Sequence, residues 1–189
     1  MISQKRGMSQ FTYTGVGART TPDRILDIME HVGYVLAQRG YVLRSGGAEG
    51  ADKAFEAGCD AAHGSKKIYI PWSGFNNYIP NGESIMTLDQ GNRDGAIDII
   101  KDVHPAFNRL SRGALALHAR NVYQVAGLYL DSPSQFLLCY ASVDAQGIPV
   151  GGTRTAWVVA RMFDIPCFNL SNDRDYERIT KFLGENNGC

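Results

Sequence analysis

The chain has 189 residues, 44% of them hydrophobic and 20% charged, which suits one ordinary globular domain with a sizeable core. Its 19 Lys and Arg balance 19 Asp and Glu; a protein living on long nucleic acid usually carries a basic excess, so that role is disfavoured. No apolar run reaches the roughly 18 residues of a membrane helix, and residues 1–7 lack the apolar centre of a signal peptide, so no membrane partner and a cytoplasmic location are expected.

Residues 1–10 are polar and read as a flexible N-terminus. Phe11-Thr12-Tyr13-Thr14-Gly15-Val16-Gly17 alternates aromatic and Thr before turning on glycine, the pattern of a strand and a loop. Thr21-Pro22-Asp23 supplies a cap and a proline at a helix start. Ile25, Ile28, Met29, Val32, Val35 and Leu36 then follow helical spacing as far as Gly40. Tyr41-Val42-Leu43 is a short buried strand running into Gly46-Gly47. A helix rich in small residues covers 50–62, and Ile68-Tyr69-Ile70 is the next strand. This strand–helix alternation predicts a parallel sheet with right-handed crossovers.

Residues 72–92, with Trp72, Phe75, Tyr78, Pro80 and Gly82, break the alternation. The stretch 72–105 reads as an insertion over one end of the sheet, with a helix near 93–101 inside it. A helix from Leu110 to Gly127 follows, then the apolar strand Phe136-Leu137-Leu138-Cys139-Tyr140. A helix over 153–163, a strand over 167–170, a helix over 173–183 and a tail over 185–189 complete the chain. The expected fold is α/β: a Rossmann-like three-layer sandwich with a mainly parallel central sheet, in one domain spanning 11–184.

Two glycine pairs punctuate this plan. Arg44-Ser45-Gly46-Gly47-Ala48-Glu49-Gly50-Ala51-Asp52 and Val150-Gly151-Gly152-Thr153-Arg154-Thr155-Ala156-Trp157 each follow an apolar stretch and open a helix. Strand, Gly-Gly turn, helix is an arrangement that points free N–H groups and the positive helix end at an anion. The first loop, with Gly15, Gly17 and Arg19, adds close backbone approach and a guanidinium for a phosphate. Loops after parallel strands gather at one sheet edge, so these three are expected to converge on one ligand. Ser45, Gly46, Gly47, Gly50, Gly151, Gly152, Thr153, Arg154 and Thr155 then belong to the same phosphate- and nucleotide-binding set. Thr153 can cap its helix and also donate to a phosphate.

Glu49 and Asp52 are the candidate catalytic carboxylates or sugar contacts, and both also suit a helix start through capping and the dipole. His118, Asn121 and Gln124 fall along one helical stripe with Arg120 offset; these four, with Trp72 and Phe75 as stacking aromatics, are further possible ligand contacts. Cys59, Cys139, Cys167 and Cys189 form no Cys-x-x-Cys pair and read as structural thiols, so neither a metal nor a cofactor is expected.

The Ser45-Gly46-Gly47-Ala48-Glu49-Gly50-Ala51-Asp52 and Gly151-Gly152-Thr153 turns, with the first loop, resemble the SLOG superfamily of Rossmann-like nucleotide-binding domains. The superfamily includes the DNA-processing protein DprA (Smf), the LOG phosphoribohydrolases and the SLOG sensors of bacterial defence systems. The resemblance covers about residues 11–63 and 110–170 and looks closest to DprA and to small stand-alone phage-encoded members. It implies a homo-oligomer and, for a phage protein, an anti-defence role in the host cytoplasm. LOG enzymes carry Pro-Gly-Gly-x-Gly-Thr-x-x-Glu; here Val158 occupies the place of the glutamate and Arg154 that of the second glycine. The favoured expectation is therefore binding, sensing or sequestration of a phosphorylated or cyclic nucleotide. N-glycoside hydrolysis of nucleoside 5′-monophosphates and DprA-like single-stranded DNA binding are the alternatives.

Overall fold

The computed structural model describes residues 10–184. Six strands, β1 (Thr12–Gly17), β2 (Val42–Ser45), β3 (Lys66–Ile70), β4 (Ile85–Thr87), β5 (Phe136–Tyr140) and β6 (Cys167–Asn169), form one sheet in the order β4-β3-β2-β1-β5-β6. Every neighbouring pair is parallel. The helices are α1 (Asp23–Gln38), α2 (Ala51–Ala61), α3 (Arg93–Val103), α4 (Arg112–Ala126), α5 (Thr153–Met162) and α6 (Asp173–Gly184). The expected Rossmann-like α/β sandwich is what the chain forms.

Strand alternation sets the two layers. Tyr13, Leu43 and Leu138 point to one face and pack with α1, α2 and α6 through Met29, Val32, Phe55 and Leu183. Val16, Tyr69, Leu137 and Cys139 point to the other and pack with α3, α4 and α5 through Ile100, Val122, Val125 and Val159. Within the first layer α1 and α2 approach at backbone distance: a Cβ added to Gly58 would lie 1.8 Å from the Glu30 carbonyl oxygen. The small residues of α2 make that approach possible.

The stretch expected to be an insertion contributes to the sheet instead. Ile85-Met86-Thr87 is the edge strand β4, and α3 belongs to the second helix layer; 72–84 is the long loop of the stretch. Three residues between Ser84 and Leu88 are too few to show a period of two. At the start of α1 the Thr21 hydroxyl donates to the Ala18 carbonyl (2.7 Å) rather than capping the helix, whose N-cap is Pro22. Apart from Gln10, the expected flexible segment 1–10 and tail 185–189, with Cys189, lie outside the described residues. Cys59 and Cys139 are buried free thiols and Cys167 is half-buried. Burial pushes the Cys59 and Cys167 thiols up to about 11. Among the described residues no helix is long and apolar enough to cross a membrane, and no cluster of three His, Cys, Asp or Glu could hold a metal ion.

Candidate functional site

Strands β1 and β5 lie side by side and finish in register, Gly17 opposite Tyr140, and the Ala18 N–H donates to the Tyr140 carbonyl (2.9 Å). From β1 the chain turns to α1 on one face; from β5 it turns to α5 on the other. The carboxyl ends of two such strands bound a crevice, the usual ligand position in an open α/β sheet. Here the crevice is a cavity of about 690 Å³, within the range of small-molecule sites. Residues 16–19 at the end of β1, Ala48 and Asp52 beside the start of α2, 150–154 at the start of α5 and the inner stripe of α4 line it, with His104 and Pro105.

The two glycine turns have different fates. Gly151 (φ +70°) and Gly152 are exposed, with open space where a Cβ would stand, and Gly152 is the N-cap of α5. No side chain caps α5; Thr153 is buried and makes no capping bond, contrary to its expected role. The Arg154 N–H donates to the Gly151 carbonyl (3.2 Å), and the exposed backbone of Gly151 and Gly152 borders the cavity.

The Gly46-Gly47 turn is closed instead. Gly47 (φ +62°) lies under the Tyr78 ring, and its carbonyl accepts from Asn76 Nδ2 (2.9 Å). Gly46 lies against Arg120 and Gln124. Neither glycine lines the cavity.

The first loop is likewise divided. Gly15 sits inside β1, where a Cβ would meet the Phe55 ring at 2.8 Å, so it is a packing glycine. The Ser45 hydroxyl donates to its carbonyl (2.7 Å), a tie between two strands. Gly17 and Arg19 border the cavity, Arg19 with its side chain exposed at the rim. Gly50 is the N-cap of α2 and packs against the carbonyls of Ala18 and Arg19.

Of the candidate carboxylates, Glu49 is exposed, pairs with Lys53 and does not reach the cavity. Asp52 is the one carboxylate among the lining residues. It is 3% exposed, stands 3.7 Å from the Arg120 guanidinium and accepts from the Ala48 N–H (3.3 Å). Burial pushes its carboxyl above the ordinary range, while Arg120 and the backbone donors pull the other way.

Most of the polar stripe of α4 bolts that helix to its neighbours. His118 Nδ1 meets the Thr155 hydroxyl at 2.7 Å, and Asn121 Nδ2 donates to the Gly152 carbonyl (2.9 Å). Arg120 donates through Nε to Asn121 Oδ1 (3.2 Å) and through Nη1 to the Gly46 carbonyl, and lies over the Phe75 ring at 5.4 Å. Burial, then His104 and Arg120, lower the His118 pKa to about 4, so the ring is neutral at physiological pH. Arg154 borders the cavity with its charge balanced by Asp144 at 2.8 Å.

Trp72 and Phe75 do not reach the cavity. Phe75 is buried, and Trp72 stands edge-on to it at 5.5 Å beside a second cleft with Arg93 and Arg112. Val158 is half-buried on α5 and off the lining. His104, which its place before a proline marks in the sequence as a residue that could sit near the site, lines the cavity with Pro105; residue patterns did not point to Asp144 as a counterion, since it is brought in by a loop without periodicity.

No protein-family model matches the chain, and no curated protein matches it. Among solved structures it is similar to DNA processing protein A from Helicobacter pylori, studied for its single-stranded DNA binding mode. The identity is 15% and the TM-score 0.57, over 93% of this chain and 80% of that one. It is also similar to the Moco carrier protein of Chlamydomonas rheinhardtii, at 16% identity and a TM-score of 0.50, over 92% and 84%. At such identities the likeness is one of fold: the chain shares with these two binding proteins a Rossmann-like framework.

Proposed function

We propose that this protein binds a small phosphorylated nucleotide in the crevice between β1 and β5, with the phosphate at the start of α5 and Arg19 beside it. The observation that carries this reading is the uncapped, exposed Gly151-Gly152 turn facing the same cavity as Arg19. The first N–H groups of a helix lack intrahelical partners and carry about half a positive charge, and two glycines let an anion reach them. Arg19 has no ion-pair partner among the described residues, so its charge is available to the same anion.

Holding fits the cavity better than cutting. An N-glycosidase needs a carboxylate able to touch the bond. Glu49 lies outside the cavity, Val158 replaces the LOG glutamate, and Asp52 is engaged by Arg120 and a backbone N–H. The protein then acts as a sensor or sequestering module, and its net charge of zero gives a long nucleic acid strand little purchase.

Isothermal titration with ribose 5-phosphate and the four nucleoside 5′-monophosphates tests the phosphate position. Gly152→Asp places a negative charge at the helix start, where it suits the dipole. It is expected to leave the melting temperature unchanged or higher and to weaken every phosphorylated probe by about tenfold or more, a loss of about 1.4 kcal/mol. Unchanged affinity in this variant would sink the reading, and release of free base would replace binding with hydrolysis.

A further inference from the structure

We infer that the inner end of this cavity receives an uncharged donor–acceptor edge of a nucleobase on the Gln124 amide, so that the nucleotide enters base first and keeps its phosphate at the rim. The inference rests on the nucleotide reading above and adds which end of the ligand goes where.

Gln124 is 1% exposed and lines the cavity, yet neither its amide nitrogen nor its amide oxygen has a hydrogen-bond partner among the described residues. Buried amides are almost always satisfied, and one left with a free donor and a free acceptor carries a desolvation penalty that a partner removes. Its neighbours on the stripe show the contrast. His118 and Asn121, six and three residues earlier on the same helix face, are both bonded to the start of α5. Packing alone would favour an apolar side chain at 124, as at Val122 and Val125, which are fully buried. The backbone at 124 is also pinned, since the Thr14 hydroxyl donates to its carbonyl (2.7 Å). The amide is thus held ready in a buried position.

Charge distribution sets the polarity of the ligand. At the inner end Asp52 and Arg120 neutralise each other, and at the side Asp144 neutralises Arg154. Gln124 itself is neutral, so nothing at the inner end attracts a phosphate. The unbalanced cation, Arg19, and the open start of α5 are both exposed. Asn121, which holds the Gly152 carbonyl, lies one turn of α4 before Gln124, so the amide and the start of α5 border the same cavity one turn apart along that helix. An amide presents one donor beside one acceptor, and the edges of nucleobases present the complementary pair.

The test uses the full chain and Gln124→Leu, titrated with the four ribonucleoside 5′-monophosphates, the parent nucleosides and ribose 5-phosphate. The expected result is a loss of about tenfold or more for the nucleotides, no change for ribose 5-phosphate, and an unchanged or higher melting temperature without ligand. Equal losses for ribose 5-phosphate and nucleotides, unchanged nucleotide affinity, or a lower melting temperature of the free variant would each overturn the inference. If nucleosides bind the wild type and lose affinity in Gln124→Leu while no phosphorylated probe prefers the site, the base position stands and the phosphate position falls. If ribose 5-phosphate alone binds, the phosphate position stands and this inference falls.

Discussion

Replacing Arg120 by Met removes one member of a buried ion pair and leaves the other stranded. Arg120 is 8% exposed and Asp52 3%, and 3.7 Å separates their charged atoms. In Arg120→Met the Asp52 carboxylate keeps the Ala48 N–H (3.3 Å) but loses its counterion, while the Gly46 carbonyl and Asn121 Oδ1 each lose a donor. Breaking a buried pair from one side costs about 3–5 kcal/mol, because the remaining charge stays desolvated. For a chain of this size each kcal/mol lowers the melting temperature by about 2–4 °C, so a fall of roughly 6–20 °C is expected.

Adding Asp52→Asn removes the stranded charge, so the double variant is expected to be more stable than Arg120→Met alone. The pH dependence has a defined sign. Without the guanidinium the Asp52 carboxyl rises further above its ordinary value, so the folded state takes up a proton where the unfolded chain does not. The deficit of Arg120→Met against the wild type therefore shrinks as the pH falls. Urea denaturation of the wild type and the three variants at pH 5 and pH 8 measures both effects. A cost below about 1 kcal/mol for Arg120→Met, or a double variant that merely sums the singles, would refute the reasoning.

In Gly58→Ala the gain in helix propensity is about 1 kcal/mol. The new Cβ, however, meets the Glu30 carbonyl at 1.8 Å, an oxygen that belongs to backbone and cannot rotate away. Forcing α1 from α2 costs about 1–3 kcal/mol or more, so calorimetry should show a lower melting temperature; a higher one would mean the two helices part freely. For His118, whose pKa falls from 6.5 unfolded to about 4 folded, the unfolded chain binds the proton first. Its contribution is complete above pH 6.5 and is lost as the pH drops toward about 4. His118→Gln should flatten that part of the stability profile in urea titrations, and an unchanged slope would show that the imidazole does not titrate in this way.

Most element types and the parallel character of the sheet were legible because they follow from short-range pattern. The apolar runs at 41–43, 68–70 and 136–140, with helical spacing between them, are enough to imply parallel strands and crossovers. The weak points were short or aperiodic: β4 has three residues, and β2 continues to Ser45 past the last apolar residue.

The chain alone also determined that two Gly-Gly turns stand where strands lead into helices. Only the tertiary structure decided that they are not equivalent. The Gly46-Gly47 turn is itself covered by the 72–84 loop and α4, so Tyr78, Arg120 and Gln124 fill the space an anion would need. Gly151-Gly152 begins a helix on the other face, where nothing lies within 4 Å of a Cβ at either position. The same holds along α4. Sequence spacing put His118, Asn121 and Gln124 on one stripe, but the partners of His118 and Asn121 come from elements more than thirty residues away in the chain. Long-range packing alone satisfied His118 through Thr155 and Asn121 through Gly152 and left the Gln124 amide buried beside the cavity without a partner among the described residues.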